Sequence, residues 1–126
     1  MTQAYWHISN SLHEYLNEDL TLSRLNPATI KFKKLENYSV YSIQKVGTDH
    51  FLAISEEGQL QWSPTYNESC CQWRIYGGPR NHVTIMAAHA DLGLRDAPRL
   101  GFSDDKRLIL QNTHNVSTLC IARVKT

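Results

Sequence analysis

Val40-Tyr41-Ser42-Ile43, Phe51-Leu52, Leu60-Gln61-Trp62-Ser63 and Trp73-Arg74-Ile75 are four short apolar-rich runs, and from Tyr41 to Ile43, Leu60 to Ser63 and Trp73 to Ile75 apolar residues alternate with polar ones. Alternation at a period of two is the mark of a strand with one buried face. The segments between them are polar. Ser55-Glu56-Glu57-Gly58-Gln59 is an acidic turn, and Ser63-Pro64-Thr65-Tyr66-Asn67-Glu68-Ser69 begins at a proline. Four strands this short, with turns this closely spaced, predict part of a sandwich or barrel.

The same order recurs on both sides. Upstream stand Tyr5-Trp6-His7-Ile8, Tyr15-Leu16, Leu20-Thr21-Leu22-Ser23 and Ile30-Lys31-Phe32. Downstream stand Val83-Thr84-Ile85, Leu92-Gly93-Leu94, Leu108-Ile109-Leu110 and Leu119-Cys120-Ile121. One anchor per strand gives Ile8, Leu16, Leu22 and Phe32, then Ile43, Leu52, Trp62 and Trp73, then Ile85, Leu94, Ile109 and Ile121. The first gap is about eight or nine residues in every set, and the middle gap varies. A tandem unit of about 40 residues is the expected explanation. It divides a single domain over 1–126 into repeats of approximately 1–37, 38–79 and 80–126. Strands are expected to start near Tyr5, Tyr38 and Asn81. One segment competes: Ser11-Leu12-His13-Glu14 fits a helix capping box. The repeat spacing favours a turn followed by a strand there.

Composition sets outer limits. Hydrophobic residues make up 41% and charged residues 20%, an ordinary globular balance. A net charge of +1 gives no general pull toward nucleic acid or anionic lipid. The basic run Lys31-Phe32-Lys33-Lys34 reads as a solvated strand face. No apolar run approaches the roughly 18 residues of a membrane span. The start, Met1 to Trp6, has neither a basic nor an apolar stretch, so a cytoplasmic protein is expected, with unconventional secretion left open. The cysteines are Cys70, Cys71 and Cys120, an odd number with two adjacent. Disulfide geometry wants Cα atoms about 5.5 Å apart, so no bond between Cys70 and Cys71 is expected. A reducing compartment fits.

Three units of four strands, opening on aromatic-x-x-Ile or a similar run and closing at Trp or Phe, resemble the β-trefoil superfamily across essentially the whole chain. The resemblance implies an all-β fold: a six-stranded barrel capped by three hairpins with pseudo-three-fold symmetry. Ricin-B-type lectins, protease inhibitors, fascin-like actin binders and interleukin-1-like or fibroblast-growth-factor-like cytokines are branches of it. In the lectin branch an Asp follows the second strand and a Gln-x-Trp closes the unit. Asp96 and Asp19 stand at similar places here, but Cys71-Gln72-Trp73 has Cys where Gln is expected. Trp73 is expected in the core.

The search for chemistry yields no catalytic motif: G-x-S-x-G, a Gly-rich phosphate loop and H-E-x-x-H are all missing. Six histidines are scattered without ligand spacing, so neither metal nor cofactor is expected. Binding residues are sought on loops. The segment from Arg95 to Arg107 carries Arg95, Asp96 and Arg99 as candidate contacts; its plainer reading makes Leu100 and Phe102 a strand of their own. Tyr66 and Asn67 put a ring and an amide on one loop. An ionised carboxylate accepts hydrogen bonds from paired sugar hydroxyls, and a ring covers the apolar face of a pyranose. A non-enzymatic lectin binding a glycan or glycoprotein is therefore the first expectation. A protease inhibitor acting through its loops and a protein-interaction module are the alternatives.

Overall fold

The computed structural model describes residues 4–35, 40–78, 81–88, 98–111 and 119–124. Among these residues there are twelve β-strands and no α-helix. In chain order they are β1 (Trp6–Ser9), β2 (Tyr15–Leu16), β3 (Leu22–Ser23), β4 (Ile30–Lys34), β5 (Val40–Lys45) and β6 (His50–Ile54). Then follow β7 (Leu60–Ser63), β8 (Trp73–Gly77), β9 (His82–Ala87), β10 (Arg99–Phe102), β11 (Leu108–Gln111) and β12 (Leu119–Arg123). The strand starts at Trp6, Val40 and His82 fall within two residues of those expected.

Antiparallel pairing runs β1–β4–β5–β8–β9–β12 and returns to β1, closing a six-stranded barrel. Closure leaves these six strands without an open edge. The other strands form the hairpins β2–β3, β6–β7 and β10–β11, joined to β1, β5 and β9. Register recurs around the ring. Trp6 faces Ile30, Tyr41 faces Trp73 and Val83 faces Leu119. At the next seam Phe32 faces Ile43, Ile75 faces Ile85 and Ile121 faces Ile8.

The core follows from that register. Ile8, Ile43 and Ile85 are fully buried, as are Ile30 and Trp73, with Leu119 at 1% exposure. Each such aliphatic side chain contributes about 1.5–3 kcal/mol on burial. β4, β8 and β12 share one burial order, buried at the first residue and exposed at the last two. The expected core members Ile8, Leu16, Ile43, Leu52, Trp73 and Ile85 are buried, whereas Phe32 and Ile121 only pack partly against the cluster. Their places are taken by Ile30 and Leu119, two residues earlier. Leu94 lies outside the described residues. The strand that pairs with β11 is Arg99–Phe102, so part of the expected long loop is strand, with Leu100 fully buried.

The segment that resembled a helix start is a turn. Asn10 Oδ1 accepts the amides of Leu12 (3.0 Å) and Glu14 (2.9 Å), and its Nδ2 donates to Glu14 Oε1 (2.9 Å). That side chain offers the backbone an alternative to a helical turn. The hairpin tips also match. Asn17 N donates to Thr21 O, Ser55 N to Gln59 O and Ser103 N to Arg107 O. The fourth residue of each tip is left-handed: Leu20 at φ 68°, Gly58 at 80° and Lys106 at 61°.

Candidate functional site

Tyr66 is the residue on the loop between β7 and β8 that the fold both exposes and fixes. Its side chain remains 37% exposed. Its ring meets Phe51 of β6 edge-on, with centroids 5.3 Å apart and planes at 70°. Gln72 Nε2 donates to its hydroxyl at 2.9 Å. Phe51 is available because it precedes Leu52 on the strand: Leu52 points into the core, so Phe51 points out. An edge-to-face pair contributes about 0.5–1.5 kcal/mol beyond its buried area, enough to hold the ring in one orientation.

The loop beneath Tyr66 is built by short-range hydrogen bonds. Ser63 Oγ donates to Thr65 O (2.9 Å) and accepts from Thr65 N (3.2 Å). Asn67 Oδ1 accepts from the amide (2.9 Å) and hydroxyl (2.8 Å) of Ser69. Its carbonyl takes the amides of Cys70 and Cys71. Asn67 is therefore a structural turn residue through its oxygen, while its Nδ2 makes no hydrogen bond among the described residues. Cys70 and Cys71 are unbonded, with sulfurs 3.7 Å apart, and Cys120 is also free. Burial pushes the Cys71 thiol above its ordinary value, which makes it a poor nucleophile. Trp73 is wholly interior, its Nε1 donating to Leu52 O at 3.0 Å.

The other candidates are dispersed. Asp19 is exposed in the β2–β3 tip, where its Oδ1 accepts from the Thr21 hydroxyl (2.5 Å) and amide (3.1 Å). Those two bonds hold its carboxyl below the ordinary value, and the charge of Arg107 adds to the effect. Arg99 opens β10 opposite Gln111, at the place where Tyr15 faces Ser23 and Phe51 faces Ser63. Arg99 Nε and Gln111 Oε1 are both buried and find no hydrogen-bond partner among the described residues. Arg95 and Asp96 lie outside the described residues. Tyr66 and Asn67, neighbours in sequence, share the β7–β8 loop, while Asp19 lies between β2 and β3 and Arg99 on β10. Phe51 and Gln72, which fix the ring, escaped the sequence reading. The adjacent apolar pair Phe51-Leu52 is the one signal for them, since a strand cannot bury both.

The hairpin ends enclose a second feature. A cavity of about 360 Å³, open to solvent, is lined by Leu20, Leu60, Ile109 and Leu110 with Gln59 and Arg107.

No family model matches the chain, and no curated protein matches it by sequence. Among solved structures it is similar to a chain described as a GH43 β-1,3-galactosidase, with a TM-score of 0.77 and 13% identity over 95% of this chain. The chain spans 27% of that protein's length. The resemblance to the β-trefoil superfamily is thereby corrected: the match is to a GH43 glycosidase chain. The resemblance rested on alternation and spacing, and those report strands and turns rather than descent. What the likeness establishes is the fold alone, all-β with a closed six-stranded barrel and added hairpins.

Proposed function

We propose that the chain is a non-enzymatic glycan-binding domain, and that its twelve strands are three repeats of one four-strand unit about a pseudo-three-fold axis. The observation that carries the function is Tyr66: an exposed ring, held by Phe51 and Gln72, next in sequence to Asn67, whose Nδ2 makes no hydrogen bond among the described residues. A ring fixed before binding loses little freedom on stacking against a sugar, and the amide offers a donor to a hydroxyl. The shared fold with a portion of a chain described as a galactosidase supports the carbohydrate reading. The recurring register supports the repeats. Asp19, Asp96, Arg95 and Arg99 are proposed as further contacts on the other units, where several weak sites would add through multivalency.

A glycan array followed by calorimetry tests this reading. Tyr66→Ala is expected to weaken the best glycan by about threefold to tenfold, the worth of one stacking contact. Unchanged affinity in a folded Tyr66→Ala protein, or no glycan retained at all, counts against it.

A further inference from the structure

The cavity among the hairpin ends exists because the three hairpins do not close on one another equally. The first and third are zipped by backbone hydrogen bonds: Leu22 N donates to Lys106 O (2.9 Å) and Leu108 N to Leu20 O (2.8 Å). A bridge between Thr21 and Arg107 completes the seam, and Lys106 Nζ reaches Glu14 Oε2 at 2.6 Å. The second hairpin, tipped by Gly58, makes no such backbone bond to either neighbour among the described residues. The cavity opens along the seam between β7 and β11.

Its lining has two chemistries. Leu20, Leu60, Ile109 and Leu110 supply apolar wall, while Gln59 and Arg107 supply amide and guanidinium groups. Arg107 offers donors only, while the Gln59 amide offers a donor and an acceptor. A simple anion would leave the apolar wall uncovered, and a wholly apolar ligand would strand the polar groups. A hydroxylated ring satisfies both, with its C–H face on the leucines and its hydroxyls at Arg107 and Gln59. At about 360 Å³ the space lies at the small end of small-molecule sites, suited to one or two sugar rings rather than a peptide.

We propose that this cavity is a second carbohydrate subsite, for a neutral pyranoside, distinct from the Tyr66 face; it rests on the glycan-binding reading above. With no aromatic platform, its affinity is on the order of millimolar.

The test is an amide nuclear magnetic resonance titration of the ¹⁵N-labelled protein with methyl β-galactopyranoside, methyl β-glucopyranoside and methyl α-mannopyranoside. Shifts at Leu20, Gly58 to Leu60 and Arg107 to Leu110 are expected with at least one of them. Leu60→Trp, which fills the cavity, abolishes those shifts and spares any around Tyr66. Gln59→Trp, at the exposed rim, does the same where Leu60→Trp fails to fold. Shifts confined to the Tyr66 face overturn the second subsite and leave glycan binding standing. Shifts confined to the cavity support the subsite and remove the Tyr66 face as the sugar platform. Silence at every amide overturns both, and so do cavity shifts that survive both tryptophan variants for the subsite.

Discussion

Replacing Trp73 by alanine probes the barrel where its geometry is most constrained. The indole is fully buried and its Nε1 donates to Leu52 O across from β8 to β6. Truncation removes the largest side chain of the core and leaves a cavity that the closed barrel cannot collapse around, at a cost of about 3–5 kcal/mol. The lost hydrogen bond accounts for about 0.5–1.5 kcal/mol of this. Trp73→Phe separates the two contributions, since most of the ring volume remains while the donor goes; about 1–2 kcal/mol is expected. Ile30→Ala and Leu119→Ala sit at the matching positions of β4 and β12, and each is expected to cost about 2–5 kcal/mol. Small domains are stable by only about 5–15 kcal/mol, so Trp73→Ala takes a large share. Urea unfolding at equilibrium measures it, through a lowered midpoint with an unchanged slope. A loss below about 1 kcal/mol refutes the reasoning, because it requires the indole to be solvated. An Ile30→Ala or Leu119→Ala protein that loses nothing refutes the equivalence of the three seams.

Two further outcomes concern the hairpin tips. Gly58→Ala meets no neighbour within 4 Å, but the backbone is left-handed there at φ 80°, so a loss of about 1–2 kcal/mol is expected; a gain in melting temperature contradicts it. Glu14 is held below its ordinary carboxyl value by its hydrogen bond to Lys106, with Asn10 adding to it. A depressed carboxyl contributes stability that is present above its unfolded value and lost as pH falls through the folded one. Melting curves at several acid pH values should therefore converge for the native protein and Glu14→Gln, and diverge near neutrality. Parallel curves show that the pair contributes nothing.

How far the fold could be read from the sequence depends on what a period of two can and cannot resolve. Alternation identified strands in each unit, because every barrel strand must bury one face. It could not resolve a slip of two residues. Phe32 and Ile30 lie on the same face of β4, as Ile121 and Leu119 do on β12, so either satisfies the pattern; only the packing of the closed barrel shows that Ile30 and Leu119 are the fully covered ones and that Phe32 and Ile121 pack at its margin. Leu92-Gly93-Leu94 and Leu100-Gly101-Phe102 read almost alike in the sequence; Leu100 pairs with Leu110, and Leu92 to Leu94 lie outside the described residues. The site was legible only in its exposed part. Tyr66 and Asn67 announced themselves by lying on a loop, whereas Phe51 comes from β6 and Gln72 from the far end of the same loop, and both gain their role only through the fold's contacts.

The same contrast locates specificity. At the barrel seams Ile30, Trp73 and Leu119 are different residues doing one job, since any large apolar side chain that fills the layer will serve. Outward from the barrel the units stop being interchangeable. The position held by Tyr15 in β2 and Phe51 in β6 is Arg99 in β10, and the tip residue that is Gly58 in one hairpin is Leu20 or Lys106 in the others. β2 and β3 are two residues long, whereas β6, β7, β10 and β11 have four or five. The first hairpin is joined to the third by backbone hydrogen bonds, whereas the second meets the third through β7 and β11. The Tyr66 ring lies outside the buried cluster, whereas Leu20, Leu60, Leu108 and Leu110 of the cavity wall belong to it or pack against it, so the ring is the part that can change without cost to the core. The recurring register of the barrel seams therefore sets the core, and the differences among the hairpins lie at their ends and loops.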